Sequence, residues 1–126
     1  MFYRRKILLA LIEEFGNTIF KLELQKYLFL FTRLQKIPAY DFIPYKYGCY
    51  SFTIASDLSA LENKYYVKLH DDTITMVDNS PYYNELNSED QRNMKRIVSQ
   101  KLNNIEELLY HVYRIAPYYA INSKMK

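Results

Sequence analysis

The chain has a single cysteine, Cys49, among its 126 residues. No disulfide can form within it, and this usage implies a reducing, cytoplasmic setting. Two glycines, Gly16 and Gly48, are too few for a glycine-rich phosphate loop or a dinucleotide fingerprint. The two histidines, His70 and His111, have no Cys or His neighbour at zinc-ligand spacing, so neither a metal nor a cofactor is expected. Tryptophan is missing. No apolar run is long enough to span a bilayer. The basic start Met-Phe-Tyr-Arg-Arg-Lys leads into only six apolar residues, Ile7 to Ile12, before Glu13-Glu14. That is short of a signal-peptide core, and no membrane partner is expected. The net charge of +3 does not by itself specify nucleic acid.

What the chain has in excess is tyrosine, 14 residues of it. Tyrosine packs on one side and hydrogen-bonds on the other, so it serves either a core or a binding surface. Charge is also unevenly spread. Residues 1–68 hold ten Lys/Arg and six Asp/Glu, a balance of +4, and the remainder carries −1. The first part therefore has a mildly basic character.

Ile7, Leu8, Leu11, Ile12 and Phe15 predict a helix over 3–15, ended by Gly16-Asn17. Thr18-Ile19-Phe20 reads as a short strand. Leu24, Tyr27, Leu28, Phe31 and Leu34, broadened by Leu22, Phe29 and Leu30, predict a second and most buried helix over 21–35. Lys21, Glu23, Lys26 and Arg33 mark its solvated edge, and Pro38 prevents its continuation. Residues 37–50 read as irregular or briefly extended. A third helix over 51–64 carries Ile54, Leu58, Leu61 and Tyr65 inward, with Phe52 and Ala55 beside them, and Thr53, Ser56, Asp57, Glu62 and Lys64 outward.

Two alternating runs follow, Val67 to His70 and Thr73 to Val77, joined by Asp71-Asp72, a pair suited to a tight turn. Asp78-Asn79-Ser80-Pro81 breaks the pattern, and 81–86 reads as a linker. Ser88 and Gln91 have capping-box spacing and open a fourth helix with Met94, Ile97, Val98 and Leu102 inward. Ile105, Leu108, Leu109, Val112 and Tyr113 form a fifth apolar stripe, stopped by Pro117.

Helix then hairpin is the layout of a winged helix, a helix-turn-helix variant. The expected fold class is α+β, mostly α. A winged-helix-like helix-turn-helix core with a β-hairpin wing occupies 1–80, a helical extension 84–117, and a tail 118–126. The extension either folds back on the first helix, the favoured reading for Ile105, Leu108 and Val112, or pairs with a second copy as a homodimer. Tyr118, Tyr119 and Ile121 would supply the surface for such pairing.

No catalytic residue is assigned. Cys49 follows Gly48 as a nucleophile on a turn would, but no general base is identifiable, and a small, partly buried thiol is the plainer reading. Glu13-Glu14 and Glu106-Glu107 are adjacent on helices and point apart. The chain reads as a non-catalytic binding module for a protein partner or DNA; the alternative is an accessory domain of a larger enzyme. The candidate surface is Tyr45, Lys46, Tyr47 and Tyr50 of an aromatic loop, Thr53, Ser56 and Lys64 of the third helix, with Arg4, Arg5, Lys6 and Lys68. If DNA is the partner, Lys46, Lys68 and Arg4-Arg5-Lys6 contact phosphate. Asp57 and Glu62 against Lys64 make the third helix a poor reader of base edges.

The stretch from Pro44, PYKYGCYSFTIASDLSALENKYY, with LQKYLFL at 24–30, resembles a family of uncharacterised prokaryotic proteins. In these a winged-helix-like N-terminal domain carries an LQK helix and a PY-YG-YS loop, in some members ahead of a second domain. The resemblance runs from Tyr3 to Tyr66, with a second patch, PYYAINS, at 117–123. More distantly the chain is similar to the Panacea (SocA-like) antitoxin domain. That domain has Gly-Pro where Gly48-Cys49 stands here. The resemblance implies a bacterial regulatory or defence-associated module. It also implies that the natural chain continues past Lys126, because in such fusions the second patch lies just before the next domain.

Overall fold

The computed structural model describes residues 1–78 and 80–124. Asn79, in the expected pattern break, and Met125 and Lys126 lie outside the described residues. The chain forms α1 (Tyr3–Glu14), β1 (Thr18–Phe20), α2 (Lys21–Leu34), β2 (Ile43–Tyr45), β3 (Gly48–Tyr50) and α3 (Phe52–Asn63). It continues with β4 (Val67–Leu69), β5 (Thr73–Met76), α4 (Ser88–Ser99) and α5 (Ile105–Ile115). Two 3-10 turns lie at Tyr82–Glu85 and Pro117–Ala120. The fold is α+β and mostly helical. Among the described residues no helix is long and apolar enough to cross a membrane.

α1 runs through the middle of the molecule. Every residue from Ile7 to Ile12 is completely buried, so the helix is covered on all sides and not along one stripe. α2, β1, β5 and α4 pack on it, and so does the turn at Tyr82–Glu85. That turn stands where a linker was expected. Tyr82 and Leu86 bury their side chains, and the Tyr82 N–H donates to Glu13 Oε1 at 2.9 Å. α1 ends as its sequence dictates. Gly16 (φ +92°) and Asn17 (φ +71°) take the left-handed conformation, which Gly and Asn tolerate best.

β1, β5 and β4 form an antiparallel sheet in the order β1-β5-β4, with Ile19 opposite Ile74 and Val67 opposite Met76. These four point inward and are buried, the period-two pattern of a sheet with one wet face. β2 and β3 make a separate hairpin inside the segment expected to be irregular or briefly extended. Pro44 and the run of tyrosines had concealed its alternation.

α2 buries Leu28 and Phe31 completely. The fourth helix starts at Ser88 as expected, but Ser88 is not its cap. Asn87 is the cap, its side chain accepting the Asp90 N–H at 2.8 Å, while the Gln91 amide donates to the Tyr83 and Leu86 carbonyls. α5 folds back chiefly onto α2 and β3, where α1 was expected, burying Leu108 and Val112. Tyr65, expected inward on α3, is 81% exposed. It occupies the left-handed position (φ +65°) through which the chain leaves the helix, and that geometry turns its side chain outward.

Asp57, expected on the wet side of α3, is 1% exposed. It gathers three elements. Arg4 donates to both carboxylate oxygens at 2.8 and 3.0 Å, Arg5 to Oδ1 at 2.9 Å, and the Tyr40 hydroxyl to Oδ2 at 2.8 Å. Burial alone would raise the Asp57 carboxyl, but these donors outweigh it and hold the group below the usual carboxylate range. The linkage of α1, α3 and the loop before β2 therefore stabilises at neutral pH. It is lost as pH falls through the depressed folded-state value. Asp57→Asn should cost about 3 kcal/mol in denaturant unfolding, the low end for a broken buried pair because Arg4 can still reach water. The cost should shrink in acid. A loss below about 0.5 kcal/mol, the usual ceiling for a surface change, would mean the network holds nothing together.

Candidate functional site

Two successive residues of α2 hold the start of α3. Gln25 pairs with the backbone of Ser51 as a neighbouring strand would. Its Oε1 accepts the Ser51 N–H at 2.8 Å and its Nε2 donates to the Ser51 carbonyl at 3.0 Å. Lys26 donates to the Cys49 carbonyl at 2.6 Å. Ser51 then caps α3 with its hydroxyl, which accepts the Ile54 N–H at 3.2 Å. Lys26 was expected at the solvated edge, yet it is 1% exposed. Burial lowers its pKa to about 8, and among the described residues no carboxylate pairs with it. The amine lies inside because the backbone of β3 needs a donor there. Burial likewise raises the Cys49 thiol to about 12 even with Lys26 nearby, so the thiol stays protonated.

Gly48 fixes the other end of β3. Its φ is +89°, and a methyl group added there would lie 2.8 Å from Tyr113 Cε1 on α5. The Tyr113 hydroxyl is hydrogen-bonded to Ser123, and Lys124 N–H donates to the Lys46 carbonyl at 2.8 Å. Asn122 Nδ2 donates to the Pro44 carbonyl at 3.3 Å. The segment after α5 thus lies along the hairpin and covers backbone acceptors of β2 and the turn.

Held this way, the hairpin and the first turn of α3 present an aromatic cluster. Ring centroids lie 5.1 Å apart for Tyr45–Tyr50, 4.9 Å for Tyr50–Phe52 and 5.5 Å for Tyr45–Phe52. Lys46 sits over the Tyr45 ring at 5.8 Å. Phe52 is 57% exposed, and Thr53 and Ser56 stand exposed beside it on α3. Next to the cluster a cleft of about 280 Å³ opens between Leu22, Gln25, Tyr50, Ala55 and Leu58. Lys21 and Leu22 also line a larger cavity of about 600 Å³, walled by Phe20, Tyr47 and Ile105, with Asp71 and Asp72 beside them. The two share Lys21 and Leu22 in their linings, so they lie side by side along the first turn of α2.

Of the residues singled out from sequence, Tyr45, Lys46, Tyr47, Tyr50, Thr53 and Ser56 come together here. Phe52 joins them, having been assigned to the inward side. Arg4 and Arg5 are engaged with Asp57, and Lys6 pairs with Glu85 at 3.1 Å. Lys64 caps the far end of α3, about 18 Å from the cluster at 1.5 Å per residue, and Lys68 is exposed on β4. Among the described residues no group of three or more His, Cys, Asp or Glu is placed to hold a metal. No protein-family profile, curated protein or solved structure matches the chain.

Two outcomes follow from the clamp and from Gly48. Below about pH 8 both folded and unfolded chains carry a protonated Lys26, and the folded state bears the desolvation cost. Between about 8 and 10.5 the folded amine is neutral while the unfolded one is charged, so folding releases a proton and rising pH favours the fold. The stability of the wild type relative to Lys26→Met should therefore rise by about 2–3 kcal/mol between pH 7.5 and 10, at about 1.4 kcal/mol per unit. A gap independent of pH would show that the amine is not desolvated.

Gly48→Ala should cost about 1–3 kcal/mol from strain and crowding. It should cost more than Gly16→Ala, where φ is +92° but nothing lies within 4 Å of the added methyl. Equal losses in thermal melts would remove Tyr113 from the account.

Proposed function

We propose that this chain is a non-catalytic, winged-helix-type binding module whose partner is a protein, in a bacterial regulatory or toxin–antitoxin-like system. Support for the winged-helix reading comes from the order helix, strand, helix, helix, strand, strand that remains once β2 and β3 are set aside, and from a sheet in which β1 joins the β4–β5 hairpin through β5. The β2–β3 hairpin is then an insertion where a compact helix-turn-helix has a short turn. The resemblance of the LQK helix and the YGCYS segment to uncharacterised prokaryotic winged-helix-like domains, and more distantly to an antitoxin domain, supports the cellular setting.

The observation that carries the choice of a protein partner is the Tyr45–Tyr50–Phe52 cluster, with Tyr45 and Phe52 exposed and Tyr50 half-buried, beside an apolar groove. Contiguous exposed aromatic surface marks interaction sites, and aromatics are enriched in protein interfaces while Lys, Asp and Glu are depleted. DNA is disfavoured by where the charges went. Asp57 is buried and Glu62 accepts the Leu69 N–H at 2.7 Å, which leaves the exposed face of α3 without a free acid. The same network consumes Arg4 and Arg5, however, and Asp71-Asp72 at the hairpin turn would face phosphate.

The chain carrying Tyr45→Ala and Phe52→Ala should melt within a few degrees of wild type. It should lose protein captured from host lysate, and the wild-type capture should survive nuclease treatment. Mixed-sequence duplex DNA should not shift in a gel at low salt. A low-salt shift whose affinity falls steeply with added salt, together with capture unaffected by the double variant, would replace the protein reading with the DNA one.

A further inference from the structure

The larger cavity has a chemistry of its own. Its walls are apolar and aromatic, with Phe20 52% and Tyr47 43% exposed. Its charged groups are Lys21, Glu23, Asp71 and Asp72, three acids to one base on a chain whose net charge is +3. Two of these are already engaged. Lys21 Nζ donates to the Asp71 carbonyl at 3.2 Å, and Glu23 Oε1 accepts the Phe20 N–H at 3.2 Å. The Asp71 and Asp72 carboxylates have no hydrogen-bond or ion-pair partner among the described residues. Their backbones are held at the turn, the Asp72 carbonyl accepting the Lys21 N–H at 2.8 Å. At about 600 Å³ the space suits one or two side chains of a partner and lies within the usual range of ligand clefts.

From this pairing we infer that the cavity receives an Arg or Lys of an extended partner segment, flanked within one or two residues by a large apolar side chain. The inference rests on the protein-partner reading and adds the chemistry of the segment. The basic head lies against Asp71 and Asp72 and over the Tyr47 ring. Charge-assisted hydrogen bonds and cation–π attraction act there together. The apolar neighbour packs between Phe20 and Leu22, and the rest of the segment follows the groove toward Tyr50. A partner rich in acidic residues is disfavoured at the same rim, because unpaired like charges repel.

Selection of a phage-displayed random 12-residue peptide library on the intact chain tests this. Enriched sequences should share an Arg or Lys next to a large apolar residue. A synthetic peptide of that sequence should bind about tenfold or more weaker once its basic residue is changed to Glu. It should weaken similarly on the chain carrying Asp71→Asn and Asp72→Asn, a change that keeps side chains suited to the turn. Peptides that lose binding with Tyr45→Ala and Phe52→Ala but ignore the Asp71/Asp72 variant would overturn the inference and leave the protein-partner reading standing. Enriched peptides of acidic character would also overturn it. If no peptide is enriched, and mixed duplex DNA binds instead, both fail together.

Discussion

Gln25 and Lys26 reach across from α2 to hold the main chain of Ser51 and Cys49, and the exposed part of the molecule depends on that grip. Without it the β2–β3 hairpin would be two three-residue strands with little of their own to order them, since an isolated two-stranded hairpin is marginal at best. The bonds fall at the junction where β3 becomes α3, so they set the hairpin and the first turn of α3 in one piece. Tyr113 against Gly48 and the segment through Lys124 hold the same hairpin from its other side. The aromatic cluster of Tyr45, Tyr50 and Phe52 is thus carried on backbone fixed at both ends. Side chains already ordered give up less entropy on meeting a partner.

The grip has a thermodynamic cost. A buried ammonium with one carbonyl acceptor among the described residues is destabilising at neutral pH, and the buried middle of α1 offsets it. With Ile7 to Ile12 fully covered, the core contributes more than a molecule of this length obtains from one amphipathic stripe. The Asp57 network acts at the other face of α3. It ties α3 to the start of α1, engages two arginines and buries an aspartate. The two polar devices together orient α3, one at its first turn and one at its middle.

Helical periodicity made most of the elements legible, because the apolar stripes of the first, second and fifth helices follow directly from burial on a 3.6-residue repeat. The same logic misplaced Lys26 and Asp57. A charged residue at a polar position of the repeat reads as wet, and nothing local to α2 or α3 shows that a carbonyl or two arginines wait on the other side. For Asp57 the partners are about fifty residues away in sequence, beyond any pattern in a short window. Gln25 and Lys26 meet the backbone of Ser51 and Cys49 more than twenty residues on, and nothing in α2 itself marks that contact. The site was legible in part. Its tyrosines stood out by composition, but Phe52 was assigned inward because the stripe on α3 continues through it. The groove, made from α2, the hairpin turn and the α4–α5 connection, has no sequence signature.

Amide exchange at Ser51 measures the grip most directly. In the wild type its N–H is held by Gln25 Oε1 at 2.8 Å in a buried site, and it should exchange only with global unfolding. In Gln25→Leu, which fills the same space without the acceptor, the Ser51 amide should exchange faster by orders of magnitude. Amides of α1 should slow or quicken only with overall stability. If the Ser51 amide in that variant remains as protected as those of α1, the hairpin and α3 are held by something other than the Gln25–Lys26 clamp.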